Sequence, residues 1–411
     1  MNNQKKRLKT KLITAFFIIC IYILGQNIPL PYVKVNISPV DQEHTFFWML
    51  QTINGSDRQG ISIFSLGIMP YMTASILIML INLGNAKKRR PNSISPMRQA
   101  RILALIMAFV MACMRSGYYA YSRRLAGSFL VTRGFTILVL ITGAFFIIWL
   151  TDMNSLYGLG GMVAVIMVNI VKTVVRNVIK VIQGFESGSY RGTEDLVKVM
   201  VLVTVGLISM IAIMLLEESE KRIPVQRVMI YSEMARDNYM AFKLNPVGIQ
   251  PMMYTMALYM LPYYIFFALV QVYPDRPVLA VLMYTVQINN PVGLIIYMSV
   301  FFILTIVLAM VQIDPSRVAE DMRKSGDCIT GLHPGSETEV YLKKTVLRLS
   351  VGSALVLGAL LTIPMMLQIF WNLPRELAMV PMSLMFMGGI LRNVFLEIRV
   401  INELDSYQEV I

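Results

Sequence analysis

Residues 62–81 read SIFSLGIMPYMTASILIMLI, an apolar stretch broken at Gly67 and Pro70. About 20 mostly apolar residues make a bilayer-crossing helix. Proline removes a backbone donor and glycine loosens the chain, so this run is not one regular helix. Broken backbone at membrane depth is tolerated where protein encloses it or where it lines a watery cavity. Two readings follow. One is a proline kink in an ordinary span; the other is a short half-helix and a full helix that meet at a pore or substrate site.

The chain around this stretch has the same character. Its 411 residues are 56% hydrophobic and 15% charged, against about 25% charged in a soluble domain, and the mean hydropathy is +0.61. Ten spans are predicted, at 12–31, 61–84, 101–121, 134–151, 158–182, 196–216, 246–272, 291–313, 345–370 and 377–398. The first begins only after Lys5, Lys6, Arg7, Lys9 and Lys11, has no A-x-A-like cleavage site and runs into Asn27–Pro31. It reads as a retained span rather than a signal peptide.

With the N-terminus inside, the inner segments hold 24 of the 37 Lys and Arg residues. That bias places both termini in the cytoplasm of a multi-pass cell-membrane protein. Arg115, Arg123, Arg124 and Arg133, around an outer loop, run against it. The expected fold class is all-α, ten transmembrane helices. Five spans fall on each side of residue 190, giving halves 1–190 and 191–411. Related halves of five spans would be inverted repeats, although the sequence shows no convincing repeat.

Two inner connections, 217–245 and 314–344, are long, polar and mixed in charge. Connections of that length are solvated loops or functional ones. KLNPVGIQP (243–251) reads as a helix start, with Asn245 a natural cap and Pro246 suited to the first turn. Pro251 then loosens that end.

In the fifth span, Asn169, Lys172, Arg176, Lys180 and Gln183 recur at three- and four-residue spacing, one polar stripe on the outer half. Lys180 can snorkel to the interface, whereas the deeper Lys172 calls for a bundle interior or a watery cavity. Lys172, Arg176 and Lys180 are therefore expected to line an outer vestibule. Methionine is abundant, at 32 residues, and suits irregular gaps. Met72, Met167 and Met253 fall near the middle of their spans, where a gasket would sit.

Other chemistry is poorly supplied. Cys20, Cys113 and Cys328 have no pairing or metal spacing, and the two histidines, His44 and His333, lie between spans. The sequence has no G-x-x-x-x-G-K-[ST] loop, so any ATP must be spent by a partner. Carboxylates are nearly absent from the spans, which weakens a secondary transporter with a midplane ion site. The spans offer no nucleophile–base pair for an intramembrane enzyme. We expect no catalytic residue, metal, cofactor or nucleic-acid partner.

The run at 62–81 resembles the second-helix signature of the SecY protein-conducting channel family. GQNIPLP (25–31) is similar to the family's first-helix exit, and KRIPVQ (221–226) and KLNPVGIQP to the loop before helix seven. DPSRVAEDMRKSGDCITGLHPGSETEVYL (314–342) resembles the large loop between helices eight and nine. The resemblance implies two pseudo-symmetric five-helix halves hinged around an hourglass pore. It implies a plug at about 54–66, a short half-helix carrying Ile61, Ile63, Phe64 and Leu66. The pore ring would comprise Ile68, Met72, Val163, Met167, Met253 and Phe386, or Met385 in place of Phe386. A lateral gate would open between helices two and seven, at Thr73, Ser75, Met111, Met256 and Leu261. A motor would dock on Lys221, Arg222, Arg227, Arg323, Lys324 and His333. A dry apolar ring excludes ions yet yields around a passing chain, and apolar segments can leave sideways into lipid.

The chain departs from the family's pattern in places. His333 stands where the family usually has the arginine of R-P-G, and imidazole does not reproduce a planar guanidinium fork. The glycine-rich start of helix five is reduced to Gly158-Leu-Gly160-Gly161, and Met111 stands where a glutamine is expected. Ring positions that are commonly isoleucine are methionine. In these respects the chain resembles the SecY paralogues of the accessory Sec systems of Gram-positive bacteria. That implies export of large serine-rich, glycosylated adhesins by an accessory SecA-type ATPase. The other implied partners are accessory Sec proteins, small SecE- or SecG-like membrane subunits and the lipid bilayer. A housekeeping translocon is the nearest alternative.

Overall fold

The computed structural model describes residues 2–34, 62–82, 94–117, 119–121, 128–186, 193–226, 238–273, 276–286, 290–371 and 375–407. Each of the ten predicted spans overlaps a helix, the second only over Met69–Ile81. In chain order these are α1 (Asn2–Asn27), α2 (Met69–Ile81), α3 (Ile94–Gly117), α4 (Phe129–Tyr157) and α5 (Gly161–Glu186). There follow α6 (Thr193–Glu218), α7 (Gln250–Val272), α9 (Pro291–Ile313), α11 (Ser336–Trp371) and α12 (Arg375–Tyr407). Two shorter helices, α8 (Pro277–Thr285) and α10 (Pro315–Ser325), were not predicted.

Among the described residues, seven helical segments are long and apolar enough to cross a membrane. The chain is a multi-pass membrane protein of the all-α class. Apolar side chains on the outside, such as Phe16, Phe17 and Leu24 on α1, are more than half exposed. That surface suits lipid, not water.

The breaks fall where the sequence dictates. α2 starts at Met69 because Pro70 sits in its first turn, where a missing N–H costs nothing. The N–H of Met72 then donates to the Ile68 carbonyl at 3.2 Å. α9 stops at Asp314, which takes a left-handed φ of 44°, and Pro315 opens the amphipathic α10 at once. α10 ends on Gly326 at φ 75°, with Arg323 and Lys324 in its last turn facing the negative end of the helix dipole.

α12 lies along both α6 and α5, α2 packs on α3 and α7, and α9 on α7 and α11. Backbones come close at the α6–α12 crossing: a Cβ on Gly206 would lie 2.8 Å from the Pro381 Cα, and one on Gly388 2.8 Å from the Met210 side chain. Small residues allow such approach where apolar burial alone does not drive helices together.

Two small sheets stand at the ends of the bundle and were not expected. β1 (Val33–Lys34) pairs antiparallel with β2 (Ala120–Tyr121). β3 (Glu220–Gln226) is the centre of a three-stranded sheet, flanked by β4 (Tyr239–Lys243) and β5 (Cys328–Ile329). In it Lys221 faces Phe242 and Gln226 faces Cys328. The described parts of the two long connections are therefore joined in one sheet. Ile223, Val225 and Phe242 anchor it on a buried cluster with Leu304, Ala319, Met322 and Leu342.

Candidate pore and gate

Most of the long helices contribute to the main apolar cluster, among them the four that carry the predicted ring residues. Ile68 and Met72 come from the start of α2, Met253 from the first turn of α7, and Met385 and Phe386 from α12, all buried. Val163 and Met167, in the first two turns of α5, are half-buried against the same cluster. The predicted ring residues thus belong to, or pack against, one apolar cluster. Ile166, Ile249, Met252 and Ile390 share the cluster and were not singled out from sequence. Met385 and Phe386 are equally buried, so burial does not choose between them.

Ile61 and most of the predicted plug lie outside the described residues. Over 62–66, the described end of that segment, the chain forms successive turns. The Ser65 N–H donates to the Ser62 carbonyl at 3.1 Å and the Gly67 N–H to the Phe64 carbonyl at 3.0 Å. The cause is a clamp from both sides. The Ile63 N–H donates to the Ile28 carbonyl at 3.2 Å, and Ser62 bridges to Pro29. Phe64 stacks between Tyr22 of α1 and Phe146 of α4, at centroid distances of 6.0 and 5.8 Å. Gly25 and Gly143 make the seat. A Cβ on the first would fall 2.0 Å from the Phe64 ring, and one on the second 2.2 Å from the Ile63 carbonyl oxygen. Arg115 donates to the Ser65 carbonyl. Phe64 and Leu66 are buried and Ile63 half-buried.

The inner part of the polar stripe of α5, Asn169 and Lys172, bonds to α1, while Gln183 at its far end is exposed. Asn169 Nδ2 donates to the Tyr22 hydroxyl at 2.6 Å, and Gln26 Nε2 to both that hydroxyl and Asn169 Oδ1, each at 2.6 Å. Lys172 Nζ donates to Gln26 Oε1. Lys172 thus reaches α1 and joins this largely buried network, one way in which a deep cation is accommodated. Arg176 is half-buried, and the side chain of Lys180 lies outside the described residues.

At the α2–α7 contact, Thr73 is buried and its hydroxyl bonds back to the Met69 and Pro70 carbonyls at 3.1 and 3.0 Å. Ser75 is half-buried and faces the Tyr254 hydroxyl of α7. Met111 of α3 and Met256 of α7 are buried in the cluster, and Leu261 is half-buried beside Pro262. Tyr259 donates to the carbonyls of Val286 and of Gly293, the latter at 2.9 Å, tying α7 to the start of α9. Sequence reading missed both tyrosines, since a tyrosine in an apolar run carries no positional signal.

A model of the SecY family matches residues 62–394. The chain belongs to the SecY family. Family members are protein-conducting channels. The chain is 27% identical over 398 residues to the accessory Sec system protein translocase subunit SecY2 of Streptococcus pneumoniae (strain CGSP14), covering 97% of this chain and 96% of that one. It is 29% identical over 341 residues to the SecY2 of Streptococcus agalactiae serotype III (strain NEM316), covering 83% and 81%. Among solved structures, one described as "The structure of a protein conducting channel" superposes with a TM-score of 0.67 at 19% identity, covering 95% of this chain and 92% of that one. Sec61 in the canine ribosome–channel complex gives a TM-score of 0.59 at 18% identity, with the same coverage. This SecY fold therefore extends over nearly the whole chain.

In this SecY family member the residues predicted to dock a motor cluster around the β3-centred sheet. Lys221 and Arg222 are exposed on β3, with the Arg222 guanidinium 4.6 Å from the centre of the Tyr239 ring. Arg323 and Lys324 are exposed at the end of α10, and Lys324 pairs with Glu320 at 2.8 Å. His333 is exposed in the turn before α11, where its carbonyl accepts from Thr338 at 2.9 Å. Arg227 lies outside the described residues.

Proposed function

We propose that this chain is the channel subunit of an accessory Sec translocase, exporting large serine-rich, glycosylated surface adhesins across the cell membrane. The observation that supports the channel reading is an apolar core cluster to which the start of α2, α5, α7 and α12 all contribute. Ile68, Met72, Val163, Met167, Met253 and Phe386 form the constriction. The halves 1–190 and 191–411 part around it, and the α2–α7 contact is the lateral gate. The segment ending at 66 is the plug, tethered through Phe64. An accessory SecA-type ATPase docks on the β3-centred sheet and supplies the work, alongside accessory Sec proteins and small SecE- or SecG-like subunits. Both termini face the cytoplasm, as the inner bias of Lys and Arg favours.

The accessory assignment is supported by similarity to SecY2 proteins over 97% of the chain and by methionine at ring positions. Deleting the gene in its native host, with quantitative mass spectrometry of secreted and wall-attached proteins, tests it. Loss of one or a few large serine-rich glycoproteins, with other exports intact, is the expected result. A broad secretion defect or inviability would make the chain a housekeeping translocon instead.

A further inference from the structure

The first turn of α5, which carries Val163 and soon after Met167, is held from another helix. Gly160 is its capping residue: its carbonyl accepts the first intrahelical bond, from Ala164 at 3.2 Å. The turn before it is rigid. Gly160 and Gly161 take φ values of 74° and 44°. The buried Asn154 amide donates to the Leu159 and Gly161 carbonyls at 2.8 and 2.9 Å. This turn points the Gly160 N–H at α12, where Glu397 Oε2 accepts it at 2.8 Å. A carboxylate there satisfies an orphan donor and meets the positive end of the α5 dipole. A Cβ on Gly160 would press to 3.3 Å on Val394 of α12, so the approach itself needs glycine.

α12 is fixed on its other side too. Just over one turn before Glu397, Arg392 Nη1 meets Glu218 Oε1 at 2.9 Å, with the arginine side chain only 15% exposed. Glu218 ends α6, and β3 begins two residues later. α12 therefore links the sheet's attachment point to the first turn of α5 and carries Met385 and Phe386 on the same rod.

We propose that Glu397 is a positioning residue for the constriction. Its carboxylate caps α5 from α12 and so sets Val163 and Met167 against Met385 and Phe386. The inference rests on the ring assignment made under Proposed function.

The test uses full-length protein in proteoliposomes and planar bilayers, with Glu397→Met, which keeps length but removes the acceptor, and Glu397→Gln, which keeps an acceptor oxygen. Resting ion conductance is read together with the distance between spin labels at Val171 on α5 and Phe395 on α12, both exposed. We expect the Met variant to broaden the distance distribution and raise the leak about fivefold, the population shift that one lost cap can produce. The Gln variant is expected to restore both. If the Met variant does not fold, Glu397→Asp, which withdraws the carboxylate by one methylene, takes its place. Unchanged distances overturn the proposal, whatever the leak. Altered distances with unchanged conductance leave Glu397 positioning α5 but overturn the link to a constriction, and with it the ring assignment.

Discussion

Phe64 lies flat on Tyr22, ring planes 9° from parallel and centroids 6.0 Å apart, in a seat that exists because residue 25 has no side chain. Tyr22 in turn accepts hydrogen bonds from Gln26 and Asn169. One aromatic contact thus connects the chain before α2 to the α1–α5 network beside the apolar centre.

Gly25→Ala should displace Phe64. Overpacking of this kind costs about 1–3 kcal/mol, read as a lowered melting temperature in detergent, with an increased resting ion leak. Phe64→Ala in the Gly25→Ala background should recover part of the loss, since the two changes share one contact. Strictly additive effects would rule out the seat.

Asn169→Leu removes a donor and an acceptor from the Tyr22–Gln26–Lys172 network. Unsatisfied buried partners cost about 1–3 kcal/mol. Lys172→Met removes the donor to Gln26 Oε1 but keeps the Tyr22–Gln26–Asn169 bonds, and should cost less. Thermal unfolding of the two variants under one detergent condition checks the order.

Arg101 and Asp152 meet at 2.9 Å between α3 and α4, but their side chains are 56% and 43% exposed. Asp152→Asn should change stability by less than about 1 kcal/mol and leave export unaltered. A larger effect would assign this pair a role in gating.

Met72→Ile, Met167→Ile and Met253→Ile together stiffen the proposed ring at nearly constant volume, at about 1.5 kcal/mol or less per site. Export of the glycosylated substrate should fall while that of a non-glycosylated truncation persists. Pulse-chase of both substrates decides it, and equal export would remove the softness argument.

Lys221→Glu with Arg222→Glu reverses two exposed charges on β3 without touching the buried Ile223 and Val225. Motor binding to vesicles should fall several-fold at low salt, and the difference should shrink at high salt. His333→Arg should strengthen binding of a housekeeping SecA-type ATPase, because it restores a planar charged fork. Cosedimentation across a salt series measures both.

Span placement was legible because apolar length and helix breakers are one-dimensional properties. Pro70, Asp314-Pro315 and Gly326 end or begin helices by their own covalent chemistry. The polar stripe on α5 was also visible as spacing, although its partners were not: Lys172 bonds to Gln26 of α1.

What the residues by themselves determined is a multi-pass helical chain, its breaks, and the signature of a protein-conducting channel family. Only the tertiary structure decided that Ile68, Met253 and Phe386 share one apolar cluster, that Gly25 receives Phe64, that β3 and β5 join two distant connections, and that Glu397 caps α5. A helix that is apolar all round satisfies lipid and protein interior equally, so its rotation and partners are not written in hydropathy. They are set by backbone approach at small residues and by the few polar groups that must find one another.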